Sequence, residues 1–350
     1  MIFEYGDFFV FLQPQINTRM KMDDLIQGFP AQLKRAIEIG EKAKIGKNKF
    51  PIRNILISGL GGSGIGGTIL SNVLRDDLSV PVIVNKEYQI PAFVNENTLV
   101  IISSYSGNTE ETLSALMQAF KKNAQIVCIT SGGLIQEYAE TNDIDFVNID
   151  GGSPPRSAFG QSFIQLLYIL FYLGLLEDGF KKYLQDAIIL LEAEEEAIKT
   201  QAKEIAQKLC GKIPVIYSDA KFEGVSIRFR QQINENSKML CWHHVVPEMN
   251  HNELVGWREK NENIAVVFIR NNHDFERNQE RMEFTKEVVS QYASDVIEIY
   301  SKGDYDLIRS MYLIHITDWV SYYLAELKGV DAVEVDVISK LKNKLAENPF

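Results

Sequence analysis

The sequence has little cysteine, little basic charge and no long apolar run. Three cysteines, Cys128, Cys210 and Cys241, are scattered over 350 residues. They are too few for a disulfide framework or a zinc site, and they read as inert thiols in a reducing compartment. Lys and Arg number 36 against 47 Asp and Glu, a net charge of −11. That balance argues against nonspecific nucleic-acid binding and against an anionic membrane surface. It leaves room for a small anionic ligand in a locally positive pocket. The longest apolar stretch, FIQLLYILFYLGLL at 163–176, falls short of the roughly 20 residues that span a bilayer. It predicts a deeply buried helix. FFVFL near the start has acidic residues before it and no basic leader, so it does not read as a signal peptide. The expectation is a cytoplasmic protein.

What is present is alternation. An amphipathic helix is predicted over 23–43, with Leu25, Ile26, Phe29, Leu33 and Ile37 at helical spacing. NILISG, VPVIVN, TLVIISS, QIVCITS and IDFVNI then read as strands, separated by helical segments such as IGGTILSNVL, TEETLSALMQAFKK and LIQEYAET. Runs of Ile and Val without polar alternation imply strands covered on both faces. DGGSPPRS at 150–157 has the composition of a crossing loop. After long helices the alternation resumes with IPVIYS, a helix over 221–238, NIAVVFIR, DVIEIYS, a long apolar helix and a last helix through VISKLKNKL. The pattern is α/β, with two doubly wound, flavodoxin-like parallel sheets and flanking helices. The division is expected near residue 152, giving units 1–152 and 153–350.

Two loops carry the chemistry. SGLGGSGIGG (58–67) follows a strand and opens a helix, and Gly59, Gly61 and Gly64 satisfy the G-x-G-x-x-G dinucleotide spacing. The acid that should close the next strand is missing, since VPVIVN ends at Asn85. No lysine stands in the turn for a nucleotide P-loop. Alone, the loop predicts backbone amides at a helix N-terminus facing an anion, or a tight turn whose glycines serve packing. ISSYSGNTEETL (102–113) places Ser103, Ser104, Ser106 and Thr109 at the next strand-to-helix junction. One hydroxyl there is ordinary capping; four beside a glycine loop form a cradle for one phosphate.

GLGGSGIGG with SSYSGNTEET resembles the sugar isomerase (SIS) family of phosphosugar-binding domains. SPPRSAFG, NENSK and PEMNHNELVGW narrow the resemblance to the bifunctional phosphoglucose/phosphomannose isomerases, in order from about Gly59 to Lys342. The resemblance implies a phosphate anchor of Gly62, Ser63, Ser104, Ser106 and Thr109. It implies that Glu235 is the base, that His251 opens the sugar ring and enters from the partner of a homodimer, and that Arg156 and Lys342 complete the site. No metal or other cofactor is expected: His243, His244 and His251 lack HExxH spacing and a cysteine pair. The implied reaction is glucose 6-phosphate to fructose 6-phosphate, with mannose 6-phosphate as a further substrate, by proton transfer through an enediolate. One departure bears on the mannose epimer. The family pattern has Pro-Thr shortly after GVD, where this chain has Ala332 and Val333. A noncatalytic phosphosugar sensor, a nicotinamide-linked dehydrogenase and a related amino-sugar isomerase stand as alternatives.

Overall fold

The structure is a computed structural model that describes residues 21–347; the FFVFL segment lies outside them. The helix predicted over 23–43 is broken. Helix α1 (Met22–Gln27) ends at Gly28 and α2 (Phe29–Lys42) starts with Pro30 in its first turn. Proline suits a first turn because its missing N–H has no intrahelical acceptor there. Alternation then follows: β1 (Asn54–Ser58), α3 (Gly61–Val73), β2 (Val82–Asn85), β3 (Thr98–Ser103), α4 (Glu110–Lys121), β4 (Gln125–Thr130), α5 (Gly133–Thr141) and β5 (Asp145–Asn148). The buried apolar stretch forms α6 (Phe159–Tyr172), followed by the 31-residue α7 (Gly179–Leu209). The second run is β6 (Ile213–Asp219), α8 (Glu223–Ser237), β7 (Trp242–Val246), β8 (Asn261–Arg270), α9 (Glu276–Val289), β9 (Ala293–Tyr300), α10 (Asp306–Lys328) and α11 (Asp336–Ala346). Among the described residues no helix is long and apolar enough to cross a membrane.

The strands form two all-parallel sheets, ordered β2-β1-β3-β4-β5 and β7-β6-β8-β9. Each reverses its winding beside its first strand, and ligands bind outside the carboxyl ends of the strands at such a switch point. In the first sheet, Ser58 pairs with Asn85 on one side and Ile102 on the other. The loops after β1 and β3 therefore emerge side by side. Strand β7 is not anticipated by the sequence pattern. It is a five-residue edge strand with only Val246 fully buried, and its Trp242, His243 and His244 break the apolar run that marked the other strands.

Alternate residues of the buried strands serve different layers. Ile55 and Ile57 join a cluster that continues through Phe163 and Leu167 of α6 to Phe229 of α8 and Val267 of β8. Leu56, Val100 and Cys128 face the other way, under α4 and α5. Tyr217, Val266 and Phe268 pack with Met282 and Val289 of α9 on the outer side of the second sheet. One apolar cluster thus spans both sheets, and it holds α3 against α8 across the molecule.

Candidate active site

Helix α3 begins at Gly61, so the glycine-rich turn is the helix's first turn rather than a loop before it. The amides of Ser63 and Gly64 bond back to Leu60 O. Gly61 and Gly62 have no carbonyl four residues back inside the helix, which leaves their N–H groups for a ligand. The glycine spacing has a packing cause. A Cβ on Gly64 would lie 2.1 Å from Gly59 O, and one on Gly62 would lie 2.7 Å from Pro155 O and 2.9 Å from the Arg156 backbone. Asn85, where a dinucleotide site needs an acid, is buried, and its amide donates to Ser58 Oγ and Glu87 O.

The second turn is laced to the first. Tyr105 N donates to Ser63 Oγ at 3.0 Å, and Ser103 Oγ donates to Ser63 O at 3.2 Å. Thr109 occupies the position before α4 but makes no side-chain cap bond. Its Oγ1 accepts from Ser104 Oγ at 3.0 Å, and Ser106 Oγ accepts from Asn108 N at 3.3 Å. The Ser104 and Thr109 hydroxyls are thus held to each other at the start of α4, and the Thr109 side chain is not spent on capping it. The N-terminal end of that helix dipole favours an anion there.

Arg156 follows Pro154 and Pro155 into a 3-10 turn that opens α6, and it is only 4% exposed. Its backbone backs onto Gly62, and its guanidinium reaches the second sheet's helices. Nε donates to Asn236 Oδ1 at 2.7 Å, and one terminal nitrogen donates to the carbonyls of Ala332 (2.6 Å) and Val333 (3.1 Å). The other terminal nitrogen lies 3.4 Å from Glu235 Oε2. Burial lowers the guanidinium pKa from its ordinary value, and the Glu235 charge opposes that shift. Glu235 lies in the last turn of α8 with its side chain 27% exposed. Asn236 is fixed from behind, its amide donating to Ser321 Oγ on α10.

Lys238, the last residue of NENSK, was given no role by the sequence. It closes α8 in a left-handed conformation (φ 55°), with Nζ donating to Glu235 O and Glu334 O. Burial lowers its pKa, with Glu334 opposing and Arg156 adding to the shift. Arg228, two turns before Glu235, was also missed. It is buried over the Phe159 ring and donates to Arg156 O and to Asp318. The signal for both was their spacing from Glu235 on one helix.

His251 and Lys342 stay outside this connected set. His251 is exposed on the turn after β7, and Lys342 is exposed on α11, which has no buried residue. The pKa of His243 is pushed down to about 4 by burial and then by Arg230, His244 and Lys86. The corresponding crevice of the second sheet is acidic. Asp219 closes β6 there, accepting from Lys221 N and from Asn278 Nδ2. Asp274, just beyond β8, is pushed up to about 7 by burial and then by Asp219. The helix-terminal amides and hydroxyls thus lie at the first crevice and the carboxylates at the second.

Residues 50–145 match the SIS domain family, and residues 198–345 match the bacterial phospho-glucose isomerase C-terminal SIS domain family. A bifunctional phosphoglucose/phosphomannose isomerase of Caldicellulosiruptor bescii is 40% identical over 336 residues, covering 93% of this chain and 99% of that protein. Another, of Aquifex aeolicus, is 36% identical over 307 residues, covering 87% and 94%. The C-terminal domain of glucosamine-fructose-6-phosphate aminotransferase from Francisella tularensis shares the fold, with TM-score 0.72 at 18% identity over 90% of this chain and 98% of that one. The chain belongs to the family of bifunctional phosphoglucose/phosphomannose isomerases.

Proposed function

We propose that the protein interconverts glucose 6-phosphate and fructose 6-phosphate, and also mannose 6-phosphate, by metal-independent proton transfer through a cis-enediolate. Residues 1–152 supply the phosphate cradle and residues 153–350 supply the base. Gly62, Ser63, Ser104, Ser106 and Thr109 anchor the monoester through helix-terminal amides and hydroxyls. Glu235 takes the C2 proton of the open-chain aldose and returns it to C1; the carbonyl oxygen O1 accumulates negative charge in the enediolate and takes up the proton that the C2 hydroxyl gives up, so that O1 ends as a hydroxyl and O2 as the carbonyl. Arg156 stands beside the base and stabilises that charge. One observation carries the reading: the same residue whose backbone packs on Gly62 holds its guanidinium 3.4 Å from Glu235. Base and anchor are therefore set at a fixed distance.

His251 is proposed as the acid/base that opens the sugar ring, moving a proton from the O1 hydroxyl to the ring oxygen. It is proposed to enter the site from the partner of a homodimer. Its exposure supports this, as do the exposed Leu240 (83%), Val255 (67%) and Phe284 (58%) on the same unit. Lys342 is proposed as a second cation of the site, on its position in the last helix. Action in the cytoplasm fits the three unpaired cysteines.

The test is an assay of both aldose phosphates with a chelator present, on the wild type and on Glu235→Gln. The wild type is expected to turn over both. The variant is expected to lose about 10²–10⁴-fold in kcat while still binding fructose 6-phosphate. Turnover abolished by the chelator, or a near wild-type variant, defeats the mechanism. Binding without turnover in the wild type makes the protein a sensor.

A further inference from the structure

The turn that carries His251 is tied down at every neighbouring residue. Met249 is fully buried among Tyr217, Val246 and Phe268. Asn250 Nδ2 donates to Thr285 Oγ1 at 2.8 Å, and Thr285 is buried on α9. Asn252 Nδ2 donates to Glu248 Oε1 at 2.9 Å, and its Oδ1 accepts from Glu253 N. Glu253 Oε1 accepts from Tyr217 Oη at 2.5 Å and from Trp242 Nε1 at 3.2 Å, while Trp257 Nε1 donates to Tyr217 Oη at 3.1 Å. His251 itself is exposed.

Tyr217 is the informative member. It stands in the middle of β6, fully buried, among Val215, Val266 and Phe268, where phenylalanine would supply the same apolar volume. Its hydroxyl serves Glu253 and Trp257, both in the segment just past His251. A buried hydroxyl without a partner costs free energy, so these bonds select one placement of that segment. Burial and the Glu253 charge raise the phenol's pKa and keep it a donor.

We propose that Tyr217 and Glu253 are positioning residues that hold the turn so that His251 projects at a fixed angle toward the sugar ring. This rests on the reading of His251 as the ring-opening acid/base. A side chain that must meet a substrate bound elsewhere cannot be guided by its own contacts, so its pedestal has to set its direction.

The experiment is a double-mutant cycle on the full-length enzyme, with each variant's melting curve as the check on folding. Tyr217→Phe deletes one oxygen. It is expected to lower kcat about tenfold and to leave KM within about twofold. Glu253→Ala is expected to lose more. Glu253→Gln keeps the acceptor for Tyr217 and Trp242 and is expected to recover most of the rate. In a His251→Ala background, Tyr217→Phe is expected to cost less than about twofold, because the two act through one group. If it costs the same factor with and without the histidine, or nothing in the wild type, the positioning role is wrong. A wild-type rate for His251→Ala overturns the histidine reading, and the positioning role falls with it. A crippled His251→Ala beside an unaffected Tyr217→Phe removes the positioning role alone. If Glu253→Ala fails to fold, the tyrosine arm still decides.

Discussion

At Arg156 a buried charge has its hydrogen bonds met by Asn236, by Glu235 and by two backbone carbonyls, those of Ala332 and Val333. The segment where this chain departs from the Pro-Thr pattern therefore touches the site through its backbone. A carbonyl serves Arg156 whatever side chain it bears, so the departure leaves the guanidinium's support intact. On the other side of Arg156, the contact with Gly62 tolerates no added atom. Gly62→Ala is expected to push the first turn away from Arg156, at a cost of about 1–3 kcal/mol in overpacking. The expected result is roughly a tenfold fall in kcat/KM for glucose 6-phosphate. Gly66→Ala is the control: its nearest foreign atom would be 3.5 Å away, an ordinary contact. Equal activities of the two variants would remove the Gly62–Arg156 coupling.

Among the elements, α8 sets Glu235 in place, and α10 holds α8. Arg228 pairs with Asp318 at 2.6 Å with both side chains buried, Asn236 bonds Ser321, and Ser237 Oγ donates to Ser321 O. Removing one member of a buried ion pair leaves the other uncompensated, at a cost of about 3–5 kcal/mol. Asp318→Ala is expected to lose stability on that scale in urea unfolding, and to lose activity because Arg228 also supports the Arg156 carbonyl. Unchanged stability would mean that α10 does not brace α8. None of this bracing was legible in the sequence, where α10 reads as one apolar helix. The parallel sheets were legible, because Ile- and Val-rich runs recur between helical segments. The crowding of hydroxyls and glycines at two strand-to-helix turns was legible too, and the structure sets those turns side by side. Strand β7 and the break at Gly28 were not. An edge strand needs little apolar burial, and a single glycine before Phe29 and Pro30 leaves the helical spacing unbroken. Glu235 was reached only by resemblance, because its polar surroundings match a solvated helix face until the tertiary structure brings Arg156 to it.

Across the whole molecule, two sheets of like topology end in crevices of opposite character. The first offers amides and hydroxyls. The second holds Asp219, Asp274 and Asp306, with Lys221 and Arg309 bonded to Asp306. Asp274 feels both other carboxylates. Burial, then Asp219, then Asp306 raise its pKa to about 7, while a hydrogen bond from Asn271 and the charge of Arg270 lower it. The sign of the linkage follows. Between the ordinary value of 3.8 and about 7, the folded chain keeps a proton that the unfolded chain has released. The folded state binds more protons, so stability falls as pH rises through that window and stays lower above it. Asp274→Asn keeps the acceptor for Asn271 and removes the charge. Its melting temperature is expected to match the wild type near pH 4 and to exceed it by several degrees at pH 8, each kcal/mol being about 2–4 °C or less in a chain this long. A gap that is the same at both pH values would mean that Asp274 is ionised throughout, with the neighbouring Asp219 and Asp306 charges offset by the groups bonded to them.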